Sequence, residues 1–206
     1  MRKIAESTVR RLSLYLRFLE DFGEQGAETV SSEALAARGG TTSAQVRKDL
    51  SFFGSFGKRG LGYRVPELTT RLREILGLAR RYRLVVVGAG KIGSALVQFG
   101  GFRKRGFDIV GILDRDPAKI GARWNGLTIC DAADLTGELR RLEADVVVLA
   151  TPAEAAQGVA DQVVASGVRA ILNFAPVSLA VPEAVTVKTI NLAMELEALS
   201  YALTHQ

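Results

Sequence analysis

The residues best suited to chemistry are Gly88-Ala89-Gly90-Lys91-Ile92-Gly93, which follow the apolar run Leu84-Val85-Val86-Val87 directly. Glycine at three fixed offsets after a strand is what a dinucleotide pyrophosphate requires of a βα turn. The first glycine makes the tight turn, the second lets the backbone approach the phosphates, and the third lets helix and strand pack closely. The helix that follows aims its first N–H groups at the anion. Lys91 is placed there for phosphate rather than for bond breaking. A second strand-like run, Phe107 to Leu113, ends in Asp114, 21 residues after Gly93. An acid about 20 residues beyond the loop is what accepts the hydroxyls of the adenosine ribose. Asp114 favours NAD(H), because a carboxylate repels the 2′-phosphate of NADP(H), and Arg115 beside it partly reverses that preference. The bland alternative is a glycine-rich structural turn in a nucleotide-free α/β domain.

Groups that could turn a bound coenzyme over are scarce. A dehydrogenase needs a side chain that exchanges a proton with its substrate. The single histidine, His205, lies one residue from the end of the sequence, and the single cysteine, Cys130, has no histidine near it. The residues after about 82 suffice for a nucleotide fold and leave nothing for a substrate domain. The coenzyme is therefore expected to be read rather than consumed, and the chain is expected not to be an enzyme. A small NAD-dependent oxidoreductase with a fused DNA-binding domain is the alternative. A third reading is a sensor of another nucleotide, such as one carrying coenzyme A, on the same fold.

The elements that must position the glycine loop follow from the pattern around it. Strand-like runs recur at 108–113, 145–150, 169–173 and 185–189, with helical stretches between them. Such alternation predicts a Rossmann-like parallel sheet with helices on both faces. Thr151-Pro152 follows one of these runs and starts a helix. It thereby lies at the carboxyl end of a strand, where ligands of doubly wound sheets bind. Asn173-Phe174-Ala175-Pro176 ends the next strand in the same way. From about Asn191, Leu192, Leu196, Leu199 and Leu203 form a heptad-like stripe, with Ala193, Met194 and Ala202 outside it. A helix apolar on more than one side needs more than one surface to cover it, so a homodimer contact is expected.

The first part of the sequence reads differently. Residues 1–81 carry 15 Lys/Arg against 9 Asp/Glu, whereas residues 82–206 carry 12 against 13. A basic segment joined to a near-neutral one predicts two domains, the first facing a polyanion. Val9, Leu12, Leu16 and Leu19 mark one face of a helix over 8–22. Ser31 or Ser32 caps a short helix, Glu33 to Arg38, and Gly39-Gly40 makes a turn. Thr42-Ser43-Ala44-Gln45 then has the capping-box pattern and opens a third helix to about Phe53. Its buried face is Val46, Leu50 and Phe53. Two short helices about a glycine turn are a helix-turn-helix signature. Thr42, Ser43, Gln45, Arg47, Lys48 and Ser51 are then candidates for contact with a major groove. The glycine-rich stretch 54–65 reads as a β-hairpin, a wing whose tip carries Lys58 and Arg59 towards phosphates or a minor groove. Pro66 starts a linking helix, 67–79, and the boundary falls near 80–83.

Composition bounds these readings. The chain has 206 residues, 48% hydrophobic and 24% charged, which predicts a folded core rather than disorder. No apolar stretch reaches the ~18 residues of a membrane span, and the N-terminus lacks the apolar region of a signal peptide. Together with the lone cysteine this predicts a cytoplasmic protein with no membrane partner.

These motifs taken together resemble the Rex family of redox-sensing transcriptional repressors over essentially the whole length. The resemblance rests on Gln45-Val46-Arg47-Lys48-Asp49-Leu50-Ser51, on Phe53-Gly54 with Gly57-Lys58-Arg59-Gly60 and Gly62-Tyr63, on the glycine loop, on Asp114-Arg115-Asp116-Pro117 and on Asn173-Phe174-Ala175-Pro176. It implies a homodimer of three parts: a winged-helix domain over 1–81, a Rossmann-type domain over 82–188, and a C-terminal helix over 189–206 exchanged between subunits. It also implies binding to inverted-repeat operator DNA when NADH is low and release when NADH rises. Family members commonly carry a tyrosine where Phe99 stands and an aspartate where Asn191 stands. These residues, with an arginine matching Arg17, trade partners between the two states. Phe99 has no hydroxyl and Asn191 no charge, so the switch in this chain is expected to use other contacts or to be weaker.

Overall fold

Apolar side chains recur every three or four residues along Glu6–Glu24 and fold it into helix α1, which buries Leu12, Tyr15, Leu16 and Leu19. The computed structural model containing it describes residues 4–54, 56–57 and 61–205. The chain divides into two compact units, Met1–Arg80 and Arg81–Gln206. In the first unit α1 is followed by β1 (Thr29–Val30), α2 (Ser32–Gly39), α3 (Ser43–Ser51), β2 (Tyr63–Arg64) and α4 (Val65–Ile75). Ser31 caps α2 by accepting the Ala34 N–H at 3.1 Å, and Thr42 caps α3 by accepting the Gln45 N–H at 3.2 Å. Leu35, Val46, Leu50, Leu68 and Leu72 join the α1 residues in one core.

Two expectations for this unit need correction. Val9 is 41% exposed; Tyr15 and Thr8 take the buried positions instead. The helix after Pro66 ends at Ile75 rather than at residue 79. Of the stretch 54–65 expected to form a hairpin, residues 55 and 58–60 lie outside the described residues; Gly57 comes so near the Gly62 carbonyl that a side chain there would meet it. Tyr63–Arg64 pairs antiparallel with Thr29–Val30, from before α2. Both Val30 and Tyr63 turn into the core.

The second unit runs β3 (Tyr82–Val87), α5 (Lys91–Gln98), α6 (Gly101–Lys104), β4 (Phe107–Asp114), β5 (Arg123–Trp124), β6 (Leu127–Asp131), α7 (Leu135–Arg141), β7 (Val146–Leu149), α8 (Ala153–Ser166), β8 (Ala170–Asn173), β9 (Thr186–Thr189) and α9 (Leu192–Thr204). The sheet order is β5-β6-β4-β3-β7-β8-β9. Every pair is parallel except β5 with β6. Without the short antiparallel β5, the order is that of the doubly wound dinucleotide-binding sheet, with the chain reversing direction across the sheet between β3 and β7. Alternate residues explain the two cores. Val85, Val87, Leu113, Val147 and Leu149 face α7 and α8 on one side. Leu84, Val86, Ile112 and Val148 face the other side with Val97 of α5. Strands covered on both faces read as unbroken apolar runs, which is why β3, β4 and β7 are visible in the sequence. The β5–β6 pair, α6 and α7 are additions the sequence pattern does not reveal.

α9 is capped by Asn191, whose Oδ1 accepts the N–H groups of Ala193 and Met194 at 3.0 and 3.4 Å. None of its residues is buried; Leu192, Met194, Leu196, Leu199, Tyr201 and Leu203 are each more than 60% exposed. This helix does not pack its apolar stripe on its own sheet.

Candidate nucleotide cleft and nucleic-acid face

The β3–α5 turn is built by backbone approach. Gly88 has φ +106°, and a side chain there would run into the carbonyl of Ala150. A side chain at Gly93 would meet the carbonyl oxygen of Gly88. Above Gly90 the space is open, as a cradle for a ligand requires. The loop is tied to the sheet by the Gly88 N–H, donating to Leu113 O at 2.8 Å, and by the Ala89 N–H, donating to Asp114 Oδ2 at 2.6 Å. Neither α5 nor α8 has a side-chain cap at its N-terminus, so both present free N–H groups and the positive end of their dipoles.

Between these two helix ends, at the carboxyl ends of β3, β4 and β7, lies a cleft of about 850 Å³. Gly88, Gly90, Lys91 and Ile92 line one part, Asp114 and Arg115 another, and Thr151 and Pro152 the α8 side. The position is the switch point where doubly wound sheets take their ligands. Thr151 Oγ1 is buried with no hydrogen-bond partner in its surroundings, the one such side-chain atom among the described residues. An orphaned hydroxyl at this place is a group a ligand can satisfy. The open cradle, the two free helix ends, the orphaned hydroxyl and a carboxylate together fit a dinucleotide.

Ala89 and Gly93 play a different part from the other loop residues. Ala89 is buried against the sheet and Gly93 packs under Gly88, so both shape the loop rather than line the cleft. Asp114 also does more than its spacing suggests. Its Oδ1 accepts the Asp116 N–H at 2.8 Å, and its Oδ2 takes Lys119 Nζ at 3.4 Å as well as the Ala89 N–H. Burial works to raise its pKa, but those N–H groups and the Lys119 charge outweigh burial and hold it below the usual carboxylate range. Sequence reasoning missed Lys119, Leu135, Glu154, Val159 and Gln162, which also line the cleft. Lys119 was open to discovery: it closes the acid-rich turn that Asp114 starts.

In the first unit, α3 presents Ala44, Arg47, Lys48 and Ser51 to solvent opposite Val46 and Leu50. The stripe falls at offsets 0, 3, 4 and 7, a single helix face. Arg47 donates to Ser32 Oγ at 2.9 Å and lies 3.3 Å from Glu33 Oε1. Ser51 turns its hydroxyl back to Lys48 O at 2.8 Å. Gln45 does not reach back towards Thr42 but donates to Asp49 Oδ1 at 2.8 Å. Asp49 is fully buried and also receives Arg11 at 2.6 and 2.7 Å and the Tyr15 hydroxyl at 3.0 Å. Burial and the hydrogen bond to Asp49 push the Tyr15 hydroxyl up to about 12. This network bolts α3 to α1. Lys58 and Arg59 lie outside the described residues. Arg17 stands exposed on α1 in the first unit. In the second unit Phe99 is 58% exposed at the end of α5, edge-on to Phe102 at 5.1 Å, and Asn191 caps α9.

No helix among the described residues is long and apolar enough to cross a membrane. Residues 3–51 match a family described as "Putative DNA-binding protein N-terminus", and residues 79–177 match one described as "CoA binding domain". A protein of Carboxydothermus hydrogenoformans called "Redox-sensing transcriptional repressor Rex" is 47% identical over 97% of this chain and 96% of its own length. A protein of Syntrophomonas wolfei with the same name is 48% identical over 98% and 96%. The crystal structure of RSP in complex with beta-NAD+ and operator DNA superposes with a TM-score of 0.94 at 35% identity, covering 98% of this chain and 94% of that one.

Proposed function

Because this chain belongs to the Rex family of redox-sensing transcriptional repressors, we propose that it binds inverted-repeat operator DNA as a homodimer and leaves it when NADH occupies the cleft. It is a regulator and not an enzyme; its relatives are named as repressors. The observation that carries the coenzyme reading is the glycine loop at the sheet's switch point, with Thr151 Oγ1 left unpartnered in the cleft wall. Gly88–Gly93 and the free end of α5 would take the pyrophosphate, with Lys91 adding charge. Asp114 would accept the adenosine ribose, and Thr151 and Pro152 would border the nicotinamide end. The coenzyme acts here as a signal, so these residues need only bind it unequally in two states of the dimer.

On the DNA side, Arg47 and Lys48 supply base or phosphate contacts from α3, and Thr42 and Ser43 contact phosphates at its start. Ser51 and Gln45 flank that face, and Lys58 and Arg59 add contacts from the wing. Arg47 would exchange Glu33 for DNA; both side chains of that pair are more than half exposed, so the exchange costs little. The exposed stripe of α9 supplies the subunit contact, in an arrangement where each chain lends its helix to the other. Arg17, Phe99 and Asn191 would take part in relaying the signal between the two units. A repressor acting on DNA would work in the cytoplasm.

A titration of an inverted-repeat operator by fluorescence anisotropy, with NADH and NAD+ in parallel, tests this. NADH should weaken binding at least severalfold more than NAD+, as a coupling of ~1–3 kcal/mol would give. Equal affinities in the two arms would remove redox control and leave DNA binding standing. The match of residues 79–177 to the coenzyme A-binding description supports a second reading, a sensor of a coenzyme A derivative. Thermal shifts with NADH and acetyl-coenzyme A decide between them.

A further inference from the structure

Asp114 is the residue that should exclude a 2′-phosphorylated coenzyme, yet the carboxylate is not alone. Lys119, half-buried at the rim of the same cleft, brings its ammonium to 3.4 Å from Asp114 Oδ2 and 3.3 Å from Asp116 Oδ2. A carboxylate offers about four acceptor sites. The Ala89 N–H, the Asp116 N–H and Lys119 already use three. The two N–H groups are backbone and fixed, whereas the lysine is a flexible stem that can leave. With Lys119 in place, Asp114 has one acceptor open and the Asp114–Asp116–Lys119 cluster carries one net negative charge; with Lys119 swung aside, two acceptors are open and two carboxylate charges stand uncompensated. Arg115 also lines the cleft but extends into solvent, where its charge is screened.

Resting on the coenzyme reading above, we infer that Lys119 sets the choice between unphosphorylated and 2′-phosphorylated nicotinamide coenzymes. Paired with Asp114, it blunts the repulsion that would turn NADP(H) away. Released, it is within side-chain reach of a phosphate on the ribose and leaves Asp114 free for a plain ribose diol. The chain should therefore separate NADH from NADPH less sharply than an unaccompanied aspartate would.

The test is the ratio of NADPH to NADH dissociation constants, read by coenzyme fluorescence on the full-length protein and on Lys119→Met and Lys119→Arg. Lys119→Met should raise that ratio about tenfold or more, the order expected for one unit charge a few ångströms from a phosphate in a partly exposed site. Lys119→Arg should keep the ratio within about threefold of the parent, which a purely steric role of the lysine would not require. A ratio unchanged in Lys119→Met overturns the inference. So does an equal loss of both coenzymes, which would make Lys119 a brace for the turn. Failure of the parent protein to bind either coenzyme would instead overturn the coenzyme reading, and the inference with it.

Discussion

Asp49 shows how a single side chain can fix how helix α3 is presented. Its carboxylate is fully buried and takes four hydrogen bonds, two of them from Arg11. Removing one partner of a buried ion pair leaves the other uncompensated, so Asp49→Ala should cost about 3 kcal/mol in the first unit, measurable by urea denaturation. The pH dependence has a definite sign. Burial raises the Asp49 pKa, but Arg11, Gln45 and Tyr15 more than reverse this and the folded value lies below the ordinary one. The unfolded chain then binds more protons than the folded one in this range. The contribution is complete above about pH 4, the ordinary carboxylate value, and is lost as pH falls through the folded value. Acidification below about pH 4 should destabilise the parent protein more than Asp49→Asn. In sequence, Asp49 is one more charge in a polar helix, because its main partner Arg11 lies 38 residues earlier. The glycine loop is the opposite case. Its meaning is local, and Gly93→Ala should weaken NADH binding more than tenfold by pushing the Gly88 carbonyl out of place, with DNA binding retained.

At the level of elements, legibility follows burial on both faces. The runs 84–87, 109–113 and 146–149 of β3, β4 and β7 carry no charged residue and are plain in the sequence, whereas β5, at two residues, carries no period at all. The pairing of Tyr63–Arg64 with Thr29–Val30 is not legible in the sequence, since a glycine-rich stretch advertises turns but not the distant strand it will join. α9 is the element whose sequence asks for something the chain does not provide. A helix of 13 residues is marginal by itself in water, and this one has no buried residue. Leu196→Glu with Leu199→Glu should convert a dimer into a monomer by analytical ultracentrifugation and lower operator affinity at least tenfold, since the half-sites then bind independently.

For the molecule as a whole, the shift from a basic to a near-neutral stretch after residue 81 accompanies the break between the units at Arg80–Arg81. Charge that serves a polyanion belongs on one unit and not the other. Binding through such charge releases counterions, so the operator affinity should fall linearly on a log–log plot against salt. Arg47→Ala and Lys48→Ala should each make the slope shallower by about 0.9 if the side chain meets a phosphate. Coupling between coenzyme and DNA must also run both ways. Operator added in excess should weaken NADH binding at the two clefts of the dimer by factors whose product equals the factor by which saturating NADH weakens operator binding; operator without effect on NADH binding would remove the coupling.

The bare flank of α9 carries a cost before any regulation begins. If α9 is the subunit contact proposed above, a freshly synthesised chain holds its six large apolar side chains in water until a second copy arrives. Pairing is second order in chain number, so scarcity prolongs that interval steeply. Lone chains are thus the species that proteases and chaperones meet first, and the quantity of working repressor should rise faster than in proportion to synthesis.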